Sequence, residues 1–406
     1  MTANYQFPSY DSLPPGAVYS GAPSNYGQTH ISSIISTDPS GIPASSNDPT
    51  SDSSPPGDRG LTVFSPDTFS KGGMLRVAKD RITKGAVADP SLDAAAKGAR
   101  PPDRSQPGFQ VWYEVHGDGP VKVLFVMGLN NSAFGWLNQV EHFAKDPRYS
   151  LLVLDNRGYG NSETPREMKK YSTSEMAKDV VEICDHLEWK DKKQLNVVGV
   201  SMGGMIALEL AKAIPERISS LSLLSTTSGR AGFSGEKSLK TALPPWAGVA
   251  TITRLMAGKM LGIDPPEYPI QRLVETLFPA KWLGEESKVV PGKKNGEVAF
   301  DFFLWRFHFT RRQSPAGSFG QVRAATSHRV TNVALQRIAS SISSILIVTG
   351  DWDQLVNPGN SYHLKENLPG AEFRLFEGCG HAIQAQEPER LNAELEECFK
   401  KGEGWK

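Results

Sequence analysis

Cysteine is scarce in this chain, which holds three among 406 residues: Cys184, Cys379 and Cys398. They show no metal-ligand spacing, and an odd number argues against a disulfide framework. Cys184 and Cys398 fall in amphipathic helical patterns, as core residues do. Cys379, two residues before His381, is the one thiol placed where reactivity would matter. Net charge is missing too. Forty-four Lys and Arg balance 44 Asp and Glu without a basic stripe, so neither nucleic acid nor an anionic membrane surface is implied as a partner. No apolar run reaches the ~18–20 residues of a membrane span. The N-terminus has neither the charged start and apolar core of a signal peptide nor the Arg-rich character of a mitochondrial presequence, and a cytoplasmic location is expected.

Lys and Arg are nearly absent from residues 1–60, where Arg59 is the only one among Ser, Pro, Gly, Asn and Asp. Such a segment buries too little apolar surface to offset its ordering entropy. Residues 61–104 are transitional, with Leu75–Val77 as a short strand candidate and Ala94–Ala96 as a helix fragment. A low-complexity, largely disordered tail is therefore expected over 1–104.

From Phe109 the chain alternates strands and helices. Strands are predicted at Phe109–Val115, Val121–Val126, Leu151–Leu154, Leu195–Val200, Ile218–Leu224, Ile345–Val348 and Glu372–Phe376. Several are continuous apolar runs, as in parallel strands covered on both faces. The Gly117–Pro120 turn between the first two reads as a hairpin. Ser172 or Ser174 caps a helix running to about Leu187, and Pro388 opens a terminal helix. The class is α/β, with a mostly parallel central sheet and helices on both faces.

One interval breaks the rhythm. Between Ser225 and about Ile338 there is no clear strand, which predicts a helical insertion rather than a structureless loop. Its apolar residues include Trp246, Leu255, Met256, Met260, Trp282, Phe302, Phe303, Trp305, Phe307 and Phe309. They form either the insertion's own core or the wall of a pocket over the sheet, and Trp246, Trp305 and Phe309 are the pocket candidates.

The stretch most informative about chemistry is Val197-Val198-Gly199-Val200-Ser201-Met202-Gly203-Gly204-Met205. A strand runs through Gly-x-Ser-x-Gly directly into a helix, the form of a nucleophile elbow that lifts a serine above the end of a sheet. Serine is a poor nucleophile and needs a base, which in turn needs an orienting acid. Asp351 and Asp353 follow one strand end, and His381 follows the last strand within Gly378-Cys379-Gly380-His381. Serine, aspartate, histidine is the order that accompanies the elbow.

Four motifs in order extend the pattern. Leu124–Asn130 with Trp136 resembles a strand-to-loop oxyanion segment, although Met127 stands where a histidine is usual. Leu154-Asp155-Asn156-Arg157-Gly158-Tyr159-Gly160-Asn161-Ser162 is similar to an Asp-x-Arg-Gly-x-Gly-x-Ser turn. With the elbow and the Gly380-His381 loop, they resemble the α/β-hydrolase superfamily, in its serine branch with a helical cap and closest to enol-lactonases and esterases. The resemblance implies a hydrolase core over 105–228 and 336–406 and a cap over 229–335. It implies Ser201 as nucleophile, His381 as base and Asp353, three residues after Gly350, as acid. The amides of Leu129 and Met202 would form the oxyanion hole, each worth about 3 kcal/mol. Asp155 and Arg157 would hold their turn, and His328 would be structural. The expected function is hydrolysis of a small-molecule ester, lactone or thioester through an acyl-enzyme, with no metal or cofactor. Carbon–carbon bond hydrolysis, aminopeptidase action, acyl transfer, or ligand sensing with little turnover are the alternatives. A further alternative is an interaction protein recruited through its tail.

Overall fold

The computed structural model describes residues 62–88, 103–229, 267–310 and 313–404. Residues 1–61, the Ala94–Ala96 fragment, Trp246, Leu255, Met256 and Met260 lie outside the described residues, as do the side chains of Phe307 and Phe309. Eight strands form one sheet: β1 Phe69–Val77, β2 Phe109–His116, β3 Val121–Val126, β4 Tyr149–Leu154, β5 Leu195–Val200, β6 Ile218–Leu224, β7 Ser344–Gly350 and β8 Glu372–Phe376. The order is β1-β2-β4-β3-β5-β6-β7-β8. β2 runs antiparallel to both β1 and β4, and the neighbours from β4 to β8 are parallel.

The central strands are buried almost throughout and mostly apolar because both sheet faces are covered, and alternate side chains feed two separate cores. Leu124 and Val126 of β3 and Leu195 and Val197 of β5 enter one core; Val123, Phe125, Val198 and Val200 enter the other. Removing one such ring, as in Phe125→Ala, would cost about 3–5 kcal/mol. The covering helices are α1 Leu137–Phe143, α2 Thr173–His186, α3 Met202–Ala213, α8 Asn332–Ser341, α9 Gly359–Asn367, α10 Ile383–Gln386 and α11 Pro388–Gly402; the insertion supplies α4 Glu267–Leu277, α5 Ala280–Gly284, α6 Asn295–Phe309 and α7 Pro315–Thr326. Ser172 caps α2 by accepting from the Glu175 amide at 3.2 Å.

Two expectations are corrected. The Gly117–Pro120 turn does not close a hairpin, because β3 lies between β4 and β5. The amides of Gly119 and Val121 donate instead to Tyr149 and Arg148 at the head of β4. β3, apolar except for Lys122, is better buried in the middle of the sheet than paired beside β2 near its edge. The folded chain also begins earlier than residue 105. Residues 69–77 form an edge strand, Val63 and Phe64 are buried, and Arg81 binds Glu175, Asp179 and Glu182 around α2. A nine-residue strand with polar and glycine positions carries little apolar signal, so composition grouped it with the tail.

Within the described part of the insertion the regular elements are helices. Its ends are tied at the root, where Gly229 bridges to Arg329 and the Val330 amide donates to Ser228. α4, α5 and α6 share an apolar cluster of Ile270, Val274, Leu277, Phe278 and Phe303, with Ala382 of the core packed into it. Phe303 therefore belongs to the insertion's own core, and that core rests on the segment following β8.

Candidate active site

Ser201 ends β5 and precedes α3 with φ 55° and ψ −121°. A non-glycine residue held there stores strain on the order of 1–3 kcal/mol, so the neighbours must over-determine it. A Cβ on Gly199 would lie 2.3 Å from the Gly203 carbonyl oxygen, and one on Gly203 2.0 Å from that of Val126. Glycine at both positions lets β3, β5 and α3 close around the turn. The Ser201 amide donates to Leu224 at 2.9 Å, and the Thr226 hydroxyl donates to the Ser201 carbonyl at 2.7 Å. The serine itself is partly accessible, whereas the first turns of α3 are buried.

The strand ends bring the other two residues to the same edge of the sheet. His381 and Asp353 are both buried, and His381 Nδ1 lies 2.9 and 2.8 Å from Asp353 Oδ1 and Oδ2. The acceptor is a carboxylate, so Nδ1 carries the proton and Nε2 is left with its lone pair. Asp353 Oδ1 also accepts the Leu355 and Val356 amides, each at 2.8 Å. Asp351 points elsewhere and accepts the Gly378 amide at 2.8 Å, closing the turn after β8. The histidine loop is pinned on two sides. The His381 amide donates to Leu277 of α4 at 3.0 Å, and Gln386 bridges the Gly380 amide and the Gly378 carbonyl at 2.9 and 2.8 Å. Cys379 is buried in this loop and its thiol is pushed up to about 12 by desolvation, so it is not a thiolate at neutral pH.

The loop after β3 abuts the elbow. A Cβ on Gly128 would sit 3.1 Å from Ser201 Cβ and 3.6 Å from its Oγ. With methionine at 127, the loop is held by other groups. Asn156 Nδ2 donates to the Met127 carbonyl at 2.8 Å, and the Ala133 amide donates to Asp155 at 2.8 Å. Asn130, at φ 50°, donates its amide to Gln321 of α7 at 2.8 Å, and Gln321 donates onward to the Arg157 carbonyl at 2.9 Å. Gln313 and Ser318 bind the Asn130 side chain at 3.0 and 3.1 Å. Leu129 is half-buried and Met202 is buried, each next to the serine-bearing turn or the loop against it. Asp155 binds its own turn through the Asn161 amide, and Arg157 is buried against Asp179.

Of the pocket candidates, Trp305 is half-buried. Its ring centre is 5.9 Å from that of Phe302, and both pack on the cluster that contains Met127 and Val200. Trp246 and the Phe309 side chain lie outside the described residues. His328 is buried at the insertion's root, 2.8 Å from the Thr173 hydroxyl, and desolvation holds its pKa down to about 3. Gln321, Asn156, Gln386 and Thr226 are not singled out by sequence. Each acts through a backbone partner, far along the chain for Gln321, Asn156 and Thr226 and within one loop for Gln386, and an amide or hydroxyl side chain carries no pattern that announces one. Among the described residues no group of three or more His, Cys, Asp or Glu is placed to hold a metal ion.

Comparison with known proteins agrees with this architecture. Residues 122–248 match the model of the alpha/beta hydrolase fold. A putative carbamate hydrolase RutD of Azorhizobium caulinodans is 26% identical over 285 residues, spanning 70% of this chain and 93% of that protein. Among solved structures, a thermophilic esterase from Thermogutta terrifontis superposes with a TM-score of 0.56 at 19% identity, over 81% of this chain and 99% of its own. An N-acyl homoserine lactone degrading enzyme gives 0.53 at 25% identity, over 71% and 97%. The chain has the α/β-hydrolase fold and is an α/β-fold hydrolase.

Proposed function

We propose that the chain is a serine hydrolase that cleaves a small acyl compound through an acyl-enzyme. The observation that carries this reading is the buried His381–Asp353 pair, with both carboxylate oxygens on Nδ1, at the sheet edge that also bears the strained Ser201. Ser201 Oγ attacks the carbonyl carbon as His381 Nε2 takes its proton, and the Met202 and Leu129 amides receive the oxyanion. The tetrahedral adduct collapses, the leaving group takes the proton from His381, and water repeats the sequence to release the acid. Asp353 fixes the tautomer and stabilises the imidazolium.

Esters, lactones and thioesters are the substrate classes of first choice. The resemblance to a lactone-degrading enzyme supports the lactone, and relatives named as putative carbamate hydrolases extend the acyl group to carbamates. The insertion over 229–335 is the proposed cap and would set acyl size. Trapping tests the mechanism: rapid acid quench during turnover of an activated ester, followed by peptide mass analysis, should find the acyl group on Ser201. An acyl group on another residue, or turnover without one, would overturn it.

A further inference from the structure

Residues 62–68 lie against β2 as a strap before β1 begins. Trp112, Glu114 and His116 alternate along β2 and so share one face of the sheet, and all three are fully buried. A carboxyl and an imidazole inside an apolar layer are costly unless directional partners meet them, and the strap supplies partners at both of its ends. The Thr62 hydroxyl donates to Glu114 Oε2 at 2.8 Å, and His116 Nε2 lies 3.2 Å from the same oxygen. Thr68 Oγ1 lies 2.9 Å from His116 Nδ1, and the Gly117 amide donates to the Thr68 carbonyl at 2.7 Å. Apolar contact is non-directional and would let an extended segment slide. Hydrogen bonds at its two ends fix which strap residue faces which part of the sheet.

Between those ends sits Phe64, which is 1% exposed. Its ring centre is 5.1 Å from that of His116 and 5.8 Å from that of Phe134, which it meets edge to face at 79°. Trp112 meets Phe134 at 6.2 Å and 90°. Phe134 belongs to the short helical turn Ala133–Trp136, which follows the loop that leaves β3 and abuts Ser201. That turn presses on the start of the same loop. A Cβ on Gly135 would lie 2.3 Å from Met127 Cε, and one on Gly128 3.1 Å from Ser201 Cβ. Phe64, Phe134, Met127 and Val200 fall in one apolar cluster, so packing is continuous from the strap to the residue before the serine.

We infer that Phe64 is a positioning residue. The strap, latched in register by Glu114 and His116, braces the Ala133–Trp136 turn, and through that turn it holds the loop after β3 against Ser201. Small displacements of an oxyanion donor are expensive in rate, so a loop that is merely folded is not sufficient and a braced one is. The effect on turnover rests on Ser201 being the nucleophile and on that loop supplying an oxyanion donor; the brace itself does not.

Two readouts on the full chain test it, one without catalysis and one with it. The first is amide hydrogen exchange of peptides spanning 127–136, read by mass spectrometry. The second is steady-state kinetics on the p-nitrophenyl esters of acetate, butyrate and hexanoate. The variants are Phe64→Ala, Phe64→Leu, Thr62→Val and Phe399→Ala. Phe399 is a buried ring of the same cluster set against Phe143 and Tyr149, and its removal controls for lost stability alone. Phe64→Ala should speed exchange at 127–136 about tenfold relative to β5 and β6, lower kcat about tenfold and leave KM within about twofold. Phe64→Leu should recover most of both. Thr62→Val keeps the ring but frees one end of the strap, and should shift both readouts the same way by about threefold. Phe399→Ala should lower the urea midpoint while leaving loop exchange and kcat within about twofold. Unchanged loop exchange in Phe64→Ala, or in Thr62→Val should Phe64→Ala not fold, would overturn the brace. Equal loosening of the loop by Phe399→Ala would do the same. Faster exchange with unchanged kcat would overturn the positioning role. If exchange responds as expected while wild type hydrolyses none of the esters, the brace stands and the serine hydrolase reading fails.

Discussion

His381 Nδ1 sits within 2.9 Å of both carboxylate oxygens of Asp353, and Asp353 holds two further backbone amides through Oδ1. The aspartate is therefore fixed before it fixes the histidine. Asp353→Asn presents an amide N–H or a weaker acceptor to Nδ1 and should lower kcat by about 10³–10⁴-fold. Asp351→Asn should leave kcat within about threefold, because that carboxylate closes a turn through the Gly378 amide and does not touch His381. Steady-state kinetics on an activated ester, with folding checked by circular dichroism, separates the two.

At the elbow, Gly203 has no room for a side chain. A Cβ there would lie 2.0 Å from the Val126 carbonyl oxygen, in the strand that leads to the loop beside Ser201. Gly203→Val should push β3 from α3, lower stability by more than about 2 kcal/mol and abolish turnover. Urea unfolding and ester kinetics on the same sample measure both.

Gln321 joins the insertion to the loop that faces Ser201. It is fully buried, accepts the Asn130 amide and donates to the Arg157 carbonyl. Gln321→Leu leaves a buried donor and a buried acceptor unmatched, at a cost of about 1–3 kcal/mol each. Stability should fall accordingly, and kcat should fall more than KM rises, because the loop supplies a proposed oxyanion donor. Equal kcat in a folded variant would disconnect the insertion from catalysis.

The pH dependence of stability should carry a signature of His328. Its folded pKa is about 3 against 6.5 for the free side chain, chiefly through desolvation, with Lys212 adding to the shift and Glu209 3.8 Å away. Between these values the unfolded chain binds more protons, so stability is full above about pH 6.5 and declines as pH falls toward 3. At pH 5.5 this one group should lower the folded-to-unfolded ratio roughly tenfold relative to pH 7.5. Denaturant midpoints at the two pH values, in wild type and His328→Gln, test this; the variant should show a smaller difference. The effect would act at the root of the insertion, where Gly229 and Arg329 pair.

The elbow, the strand series and the helical character of the insertion were legible because each is written in local pattern: glycine spacing, apolar runs and breaks in periodicity. The distinction between Asp351 and Asp353 was legible only through family resemblance, since both follow the same strand and their different aims depend on the turn after β8. β1 was nearly invisible. Its residues are largely exposed or half-buried on an edge strand, so they carry no apolar run. The misread hairpin had a different cause. Gly117–Pro120 has turn chemistry, but strand order is decided by which apolar strand is best buried, a non-local property. The polar clamps Gln321 and Asn156 were illegible for the same reason, since each makes sense only once distant backbone is brought beside it.

The most direct test of an activated serine is labelling with a fluorophosphonate probe, read by intact mass on wild type, Ser201→Ala and His381→Ala. One adduct on wild type, mapped to Ser201, with none on Ser201→Ala and slow labelling of His381→Ala, is the predicted result. A folded wild type that resists the probe, or a Ser201→Ala chain that still takes it up, would contradict the assignment of Ser201 as the nucleophile.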